Sequence, residues 1–507
     1  MFYNKAIILN QWGDFLTITK QDNLKWYQKF FSVIAGACLI GFMWRVRGNH
    51  GFGAKWGMFA VGFVFVMFIY ALYGRRKKMN YEMMPLCAVF AALTAGGWGT
   101  LNSQMNGYLG SNANFVGEDA YRYIEISEYS GLIIMLLLGF GWLPLFSIAL
   151  GSLFSKKKYE FKDFFIFVAV YYVTIIIANL TISHYILQVI NPEAVEACAE
   201  GLRDAGQDLS PMKAFIVKLG SEPWAKKIPF CRNYFTSIKV ISSAIGALTS
   251  LLTVGVVLKD KFTAVFAFLV NTSCAVAITL ADLSLILDSD RGFLAGVKAP
   301  NFLSHSAWPT WEFFTGFILG LLVMLIIAFL PKQFTNTEES FDYTPLIKNK
   351  RFSLIYNGIL TLFFSFVVVL ARGFAFKLNE AILDNEVFEN VLAVVISALL
   401  FYPVFKFTKK NIIEKDLNKP IDMSPQEFSI KALPVYLLFI AFIYFFLGSP
   451  DDYTLISINY SEILSVKGFI NEWNSGTIFE LIFMLISFIL FNIIYKIIFN
   501  RKSKISK

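Results

Sequence analysis

Apolar residues in this chain fall into long runs separated by short polar stretches. Twelve runs can be cut, at 30–46, 57–73, 81–97, 129–150, 163–190, 235–258, 261–287, 311–330, 352–371, 387–405, 431–448 and 477–499. A helix needs about 20 residues to cross the hydrocarbon layer, within a range of roughly 17–25. Most runs meet that length. The first three are short and carry glycines near their distal ends. Membrane-spanning strands would be about ten residues long with alternating polarity, and no such alternation occurs. The pattern predicts an all-α fold, a polytopic transmembrane helical bundle.

Composition strengthens this reading. Of 507 residues, 56% are hydrophobic and 16% charged, where soluble chains have about 45–50% and 25%. Mean hydropathy is +0.57. A soluble enzyme, an extended disordered protein and a cytoplasmic DNA binder are excluded, because such a chain could not cover its surface with polar groups. The net charge of +9 invites a nucleic-acid reading, but the basic residues lie in short loops, where they set topology. The expected partners are therefore membrane lipids and a small-molecule or lipid-linked substrate, with no nucleic acid.

With the N-terminus placed in the cytoplasm, the inner segments hold 29 Lys and Arg and the outer ones 15. An even number of spans with both termini cytoplasmic satisfies every strongly basic loop, so a multi-pass protein of the cell membrane is expected. Its parts are a cytoplasmic segment 1–29, a first transmembrane group 30–190 with an outer loop at 98–128, an outer loop 191–234, a second transmembrane group 235–499 and a basic tail 500–507. Residues 1–29 lack the continuous apolar core and cleavage pattern of a signal peptide. Pro192–Leu202 is expected to form a short helix with proline near its start. Cys198 and Cys231 fall in the same outer loop, where an oxidising face permits a disulfide; two unpaired thiols are the alternative.

Four constellations could carry chemistry. The first runs from Trp44 to Gly57 and joins the first two spans, with Arg45, Arg47, His50 and Lys55 among Gly48, Gly51 and Gly53. Glycine-rich turns opening a helix expose N–H groups that hold anions, and arginine adds bidentate donors for carboxylate or phosphate. Pairing with outer acids is the structural alternative. The second contains Gly96 and Gly97, followed by Thr100, Asn102 and Gln104. Irregular backbone at membrane depth survives only inside protein or beside a cavity, although close helix packing also uses glycine. The third runs from Ser304 to Glu312. There Thr310 is read as an N-cap and Glu312 as a first-turn carboxylate favoured by the helix macrodipole, or else as an ion-pair partner of Arg45 or Arg47. The fourth is Asp282, inside a span, on a stripe with Asn271, Ala275 and Thr279. A charged carboxylate near mid-membrane costs at least about 2–3 kcal/mol and lines a pathway or meets a base; Lys239 is the candidate base. Asn179, Ser183 and His184 share another span and suit either a cavity or interhelical hydrogen bonds. No metal-ligand spacing and no cofactor motif stands out.

Three functions fit these residues. A secondary transporter would use Arg45, Arg47, His50, Asn102, Gln104 and Glu312 to bind an anionic or zwitterionic solute in an outward cavity, with Asp282, Asn271 and Thr279 along the path. A membrane-embedded transferase or hydrolase would use the same outer residues on a lipid-linked or phosphate-bearing substrate. A non-catalytic scaffold or partner subunit leaves the arginines and the buried aspartate unexplained.

Overall fold

In the computed structural model, the described residues are 26–49, 53–69, 83–94, 128–204, 231–282, 296–297 and 307–330, with isolated helical positions between 382 and 399. Among them there is no strand. The helices are α1 (Trp26–Asn49), α2 (Gly53–Ile69), α3 (Met83–Thr94), α4 (Glu128–Phe140), α5 (Pro144–Ser152), α6 (Phe161–Leu180), α7 (Ile182–Ile190), α8 (Pro192–Asp204), α9 (Cys231–Leu252), α10 (Lys261–Asp282) and α11 (Ala307–Ala328). A π turn, Thr253–Val257, closes α9. Four of these stretches are long and apolar enough to cross a membrane: Lys162–Leu180, Tyr234–Val257, Lys261–Asp282 and Trp311–Ala328. The pair α4–α5, bent by 42°, makes a fifth if taken as one span. The chain is a helical membrane protein. The runs at 352–371, 431–448 and 477–499, and most of 387–405, lie outside the described residues.

α10 is the hub, packing against α4, α5, α9 and α11. From it a ring runs through α11, α1, α2, α3 and α5 back to α10, while α6, α7 and α8 gather around α9. Small residues permit these approaches. In the antiparallel pair α1–α11, a Cβ on Gly316 would lie 2.5 Å from the Ile40 carbonyl oxygen and from Trp44 Cβ, and one on Gly41 would lie 2.8 Å from the Phe313 ring. A Cβ on Gly139 of α4 would meet Ala275 Cα of α10 at 2.5 Å.

Two expected spans are interrupted. The run 129–150 breaks at Gly141–Leu143, because Pro144 cannot donate to the Phe140 carbonyl. The run 163–190 breaks at Thr181, whose backbone (φ −129°, ψ −88°) leaves the helical region. The apolar run opening at 311 extends backward, so that α11 begins at Ala307. Glu312 therefore sits beyond the first turn, and the expected N-cap at Thr310 is replaced by helix. The connection expected from Trp44 to Gly57 shortens in the same way: α1 continues to Asn49 and α2 opens at Gly53.

Candidate functional site

Three buried ionisable side chains lie toward one end of the bundle. Arg45 lies near the end of α1, Glu312 near the start of α11 and Asp282 at the end of α10. They are respectively 3%, 1% and 0% exposed. The Gly316–Trp44 and Gly41–Phe313 approaches set the register that brings Arg45 opposite Glu312, and the two charges interact electrostatically. A buried arginine needs such a partner, since an isolated charge in an apolar interior costs several kcal/mol. The pairing explains why α1 runs on through Arg45 where a surface turn was expected.

Asp282 is held differently. Its Oδ1 accepts a hydrogen bond from Trp311 Nε1, the residue immediately before Glu312. Its Oδ2 has no hydrogen-bond partner among the described residues. Further down α10, Asn271 is fully buried, and neither its carboxamide atoms nor the buried Thr279 Oγ1 has a partner among the described residues. Between them, Ala275 is closed over by the Gly139 backbone.

The structure thus brings Arg45, Glu312 and Asp282 onto three neighbouring helices. Gly48 and Gly53 fall within α1 and α2. The side chain of Arg47, and the residues His50, Gly51, Gly96, Gly97, Asn102 and Gln104, lie outside what is described. Ser183 and His184 are committed to helix contacts: Ser183 Oγ lies 2.9 Å from Ser242 Oγ, and His184 Nδ1 lies 2.8 Å from Tyr234 Oη. Cys198 is disulfide-bonded, whereas Cys38, Cys87 and Cys274 are free and buried; the side chain of Cys231 lies outside the described residues.

A second polar cluster, not anticipated from sequence, occupies the opposite end of α10. Asp260 Oδ2 accepts from Ser155 Oγ at 2.6 Å, Tyr159 Oη at 2.7 Å and Thr263 Oγ1 at 2.7 Å, while Oδ1 accepts from the Thr263 N–H at 3.0 Å. Asp260 is thereby the N-cap of α10 and also the anchor of the α5–α6 loop. Lys157 Nζ completes the tie by donating to the Leu258 carbonyl at 2.8 Å. Burial, reinforced by the Asp260 charge, raises the Tyr159 phenol well above its ordinary value. The sequence signal was Asp260-Lys261-Phe262-Thr263 ahead of an apolar run, an N-cap pattern.

Comparison with protein-family models, with curated proteins and with solved structures finds no match.

Proposed function

We propose that this protein is a secondary transporter in the cell membrane, of about twelve spans with both termini cytoplasmic, for an anionic or zwitterionic small solute. The observation that carries the reading is Asp282: a fully buried carboxylate with one oxygen unpartnered among the described residues, at the same end of the bundle as a buried Arg45–Glu312 pair. A charged carboxylate in such a place is costly, and in membrane proteins such groups mark proton or ion pathways or pair with a base. In this reading Asp282 is the coupling group. Arg45, Arg47, His50, Asn102, Gln104 and Glu312 form the solute vestibule, and Asn271 and Thr279 lie on the path.

The test is a reconstitution. Proteoliposomes loaded with a pH-sensitive dye are challenged with single amino acids and carboxylates. One solute class is expected to acidify the lumen through the wild-type protein. Asp282→Asn should abolish accumulation driven by a pH gradient while leaving solute exchange partly intact. Turnover of a lipid-linked phosphate without any gradient would assign the protein to the membrane-embedded transferases or hydrolases. Neither flux nor turnover would leave the scaffold reading.

A further inference from the structure

The break between α4 and α5 lies at mid-depth in the bundle and opposite a buried polar side chain. Two contacts fix the register. Gly139 meets Ala275, and Gly151 meets Thr263 with its Cβ position 3.1 Å from Thr263 Cγ2. Counting inward from either contact, Leu143 falls level with Asn271, about 6 Å along α10 from Ala275 at 1.5 Å per residue, while Gly141 packs against Ser243 and Ala244 of α9.

The break frees backbone oxygen. The Phe140 carbonyl would bond residue 144 in a continuous helix, but Pro144 has no N–H to give. The Leu138 carbonyl loses its expected donor as well, because the Trp142 N–H turns to Gly139 O at 3.3 Å. These oxygens sit at the C-terminal end of α4, where the helix macrodipole is negative. Asn271, 0% exposed, adds a carboxamide whose oxygen and nitrogen both lack partners among the described residues. An orphaned buried polar group costs about 1–3 kcal/mol, so an unfilled site here would be a standing loss.

The set offers neutral oxygens together with two donors, the Asn271 amide and the buried Trp142 indole N–H, which also lacks a partner among the described residues. Among the described residues no group of three or more His, Cys, Asp or Glu could hold a metal ion. With no carboxylate at this level of α10 among the described residues to balance a second charge, the chemistry suits a monovalent hard cation. Membrane proteins use half-helix C-terminal ends and unwound carbonyls in this way. We propose that the α4–α5 break and Asn271 form a sodium-binding site at mid-depth, distinct from the Arg45–Glu312–Asp282 end. The site does not depend on transport: a protein that moves no solute would still bind the ion.

The full-length protein, purified in detergent, is unfolded thermally in sodium chloride and in choline chloride at equal ionic strength. Sodium should raise Tm saturably by several degrees, as expected for a ligand bound only by the folded state. Asn271→Ala should remove the shift, whereas Asn271→Asp, which keeps an oxygen ligand, should retain it. Should Asn271→Ala fail to fold, equilibrium binding of sodium-22 to the wild type decides, with saturable retention expected. Equal Tm values in the two salts, a shift that survives Asn271→Ala, or no retained sodium would overturn the proposal.

Discussion

At the scale of single residues, the two ends of α10 present one carboxylate each, used in opposite ways. Asp260 receives four hydrogen bonds; Asp282 has one oxygen without a partner among the described residues. Hydrogen bonds to a charged group contribute about 1.5–3 kcal/mol each, so Asp260→Ala should lower stability by about 3 kcal/mol or more, read as a drop in Tm. Tyr159→Phe should cost less, about 1.5 kcal/mol. It should also change the alkaline limb. Because the Tyr159 phenol is raised in the folded state, the fold holds that proton more tightly than the unfolded chain does. Its contribution is complete below about pH 10 and declines as pH rises beyond it. A stability profile from pH 8 to 11 should therefore fall less steeply in Tyr159→Phe, and identical slopes would refute the assignment. Asp282 was legible in the sequence because a charge inside an apolar run is conspicuous. Its partner Trp311 was not, since no spacing rule joins residues 29 positions apart. Asp260 was not legible as an anchor, because between Lys259 and Lys261 its surroundings read as a short basic loop.

At the scale of helices, the fold depends on glycine seams more than on hydrophobicity, which is nearly uniform around most spans. The α1–α11 seam offers an internal comparison. At Gly316 an added Cβ meets the Ile40 carbonyl and Trp44 Cβ, both fixed, at 2.5 Å; at Gly36 it meets Met324 Cγ at 2.6 Å. Methionine can change rotamer, while backbone cannot. Gly316→Ala should thus cost about 1–3 kcal/mol by overpacking, and Gly36→Ala distinctly less, in the same thermal assay. Equal losses would mean that Met324 is as rigid as backbone. The positions of most helices were legible, because long apolar runs dictate them. Their interruptions were only partly so. Pro144, with Gly139 and Gly141 just before it, marked the break in 129–150, whereas Thr181 ends α6 with no proline or glycine beside it. Which helix faces which was not legible, because runs apolar on all sides do not declare a face.

At the scale of the whole molecule, Cys198 carries topological information. A disulfide forms on an oxidising face, so α8 should lie outside the cell, as the charge distribution also predicts. The proposed partner is Cys231, and peptide mapping without reductant should recover one peptide joining the two. Recovery of Cys231 as an alkylatable thiol would end that pairing. The buried Arg45–Glu312 pair has another consequence, in the order of synthesis. Arg45 emerges from the ribosome 267 residues ahead of Glu312, which at 5–20 residues per second is roughly 13–53 s. During that interval the guanidinium near the end of α1 has no Glu312 beside it, and an arginine at the centre of a helix costs about 2.5–3.5 kcal/mol at insertion, less toward the end. Nascent chains halted before Trp311 should therefore leave α1 shallow, shielded by the insertion machinery or exposed to membrane proteases. Chains released beyond Ala328 should protect it, so that the first helix made is among the last to be seated.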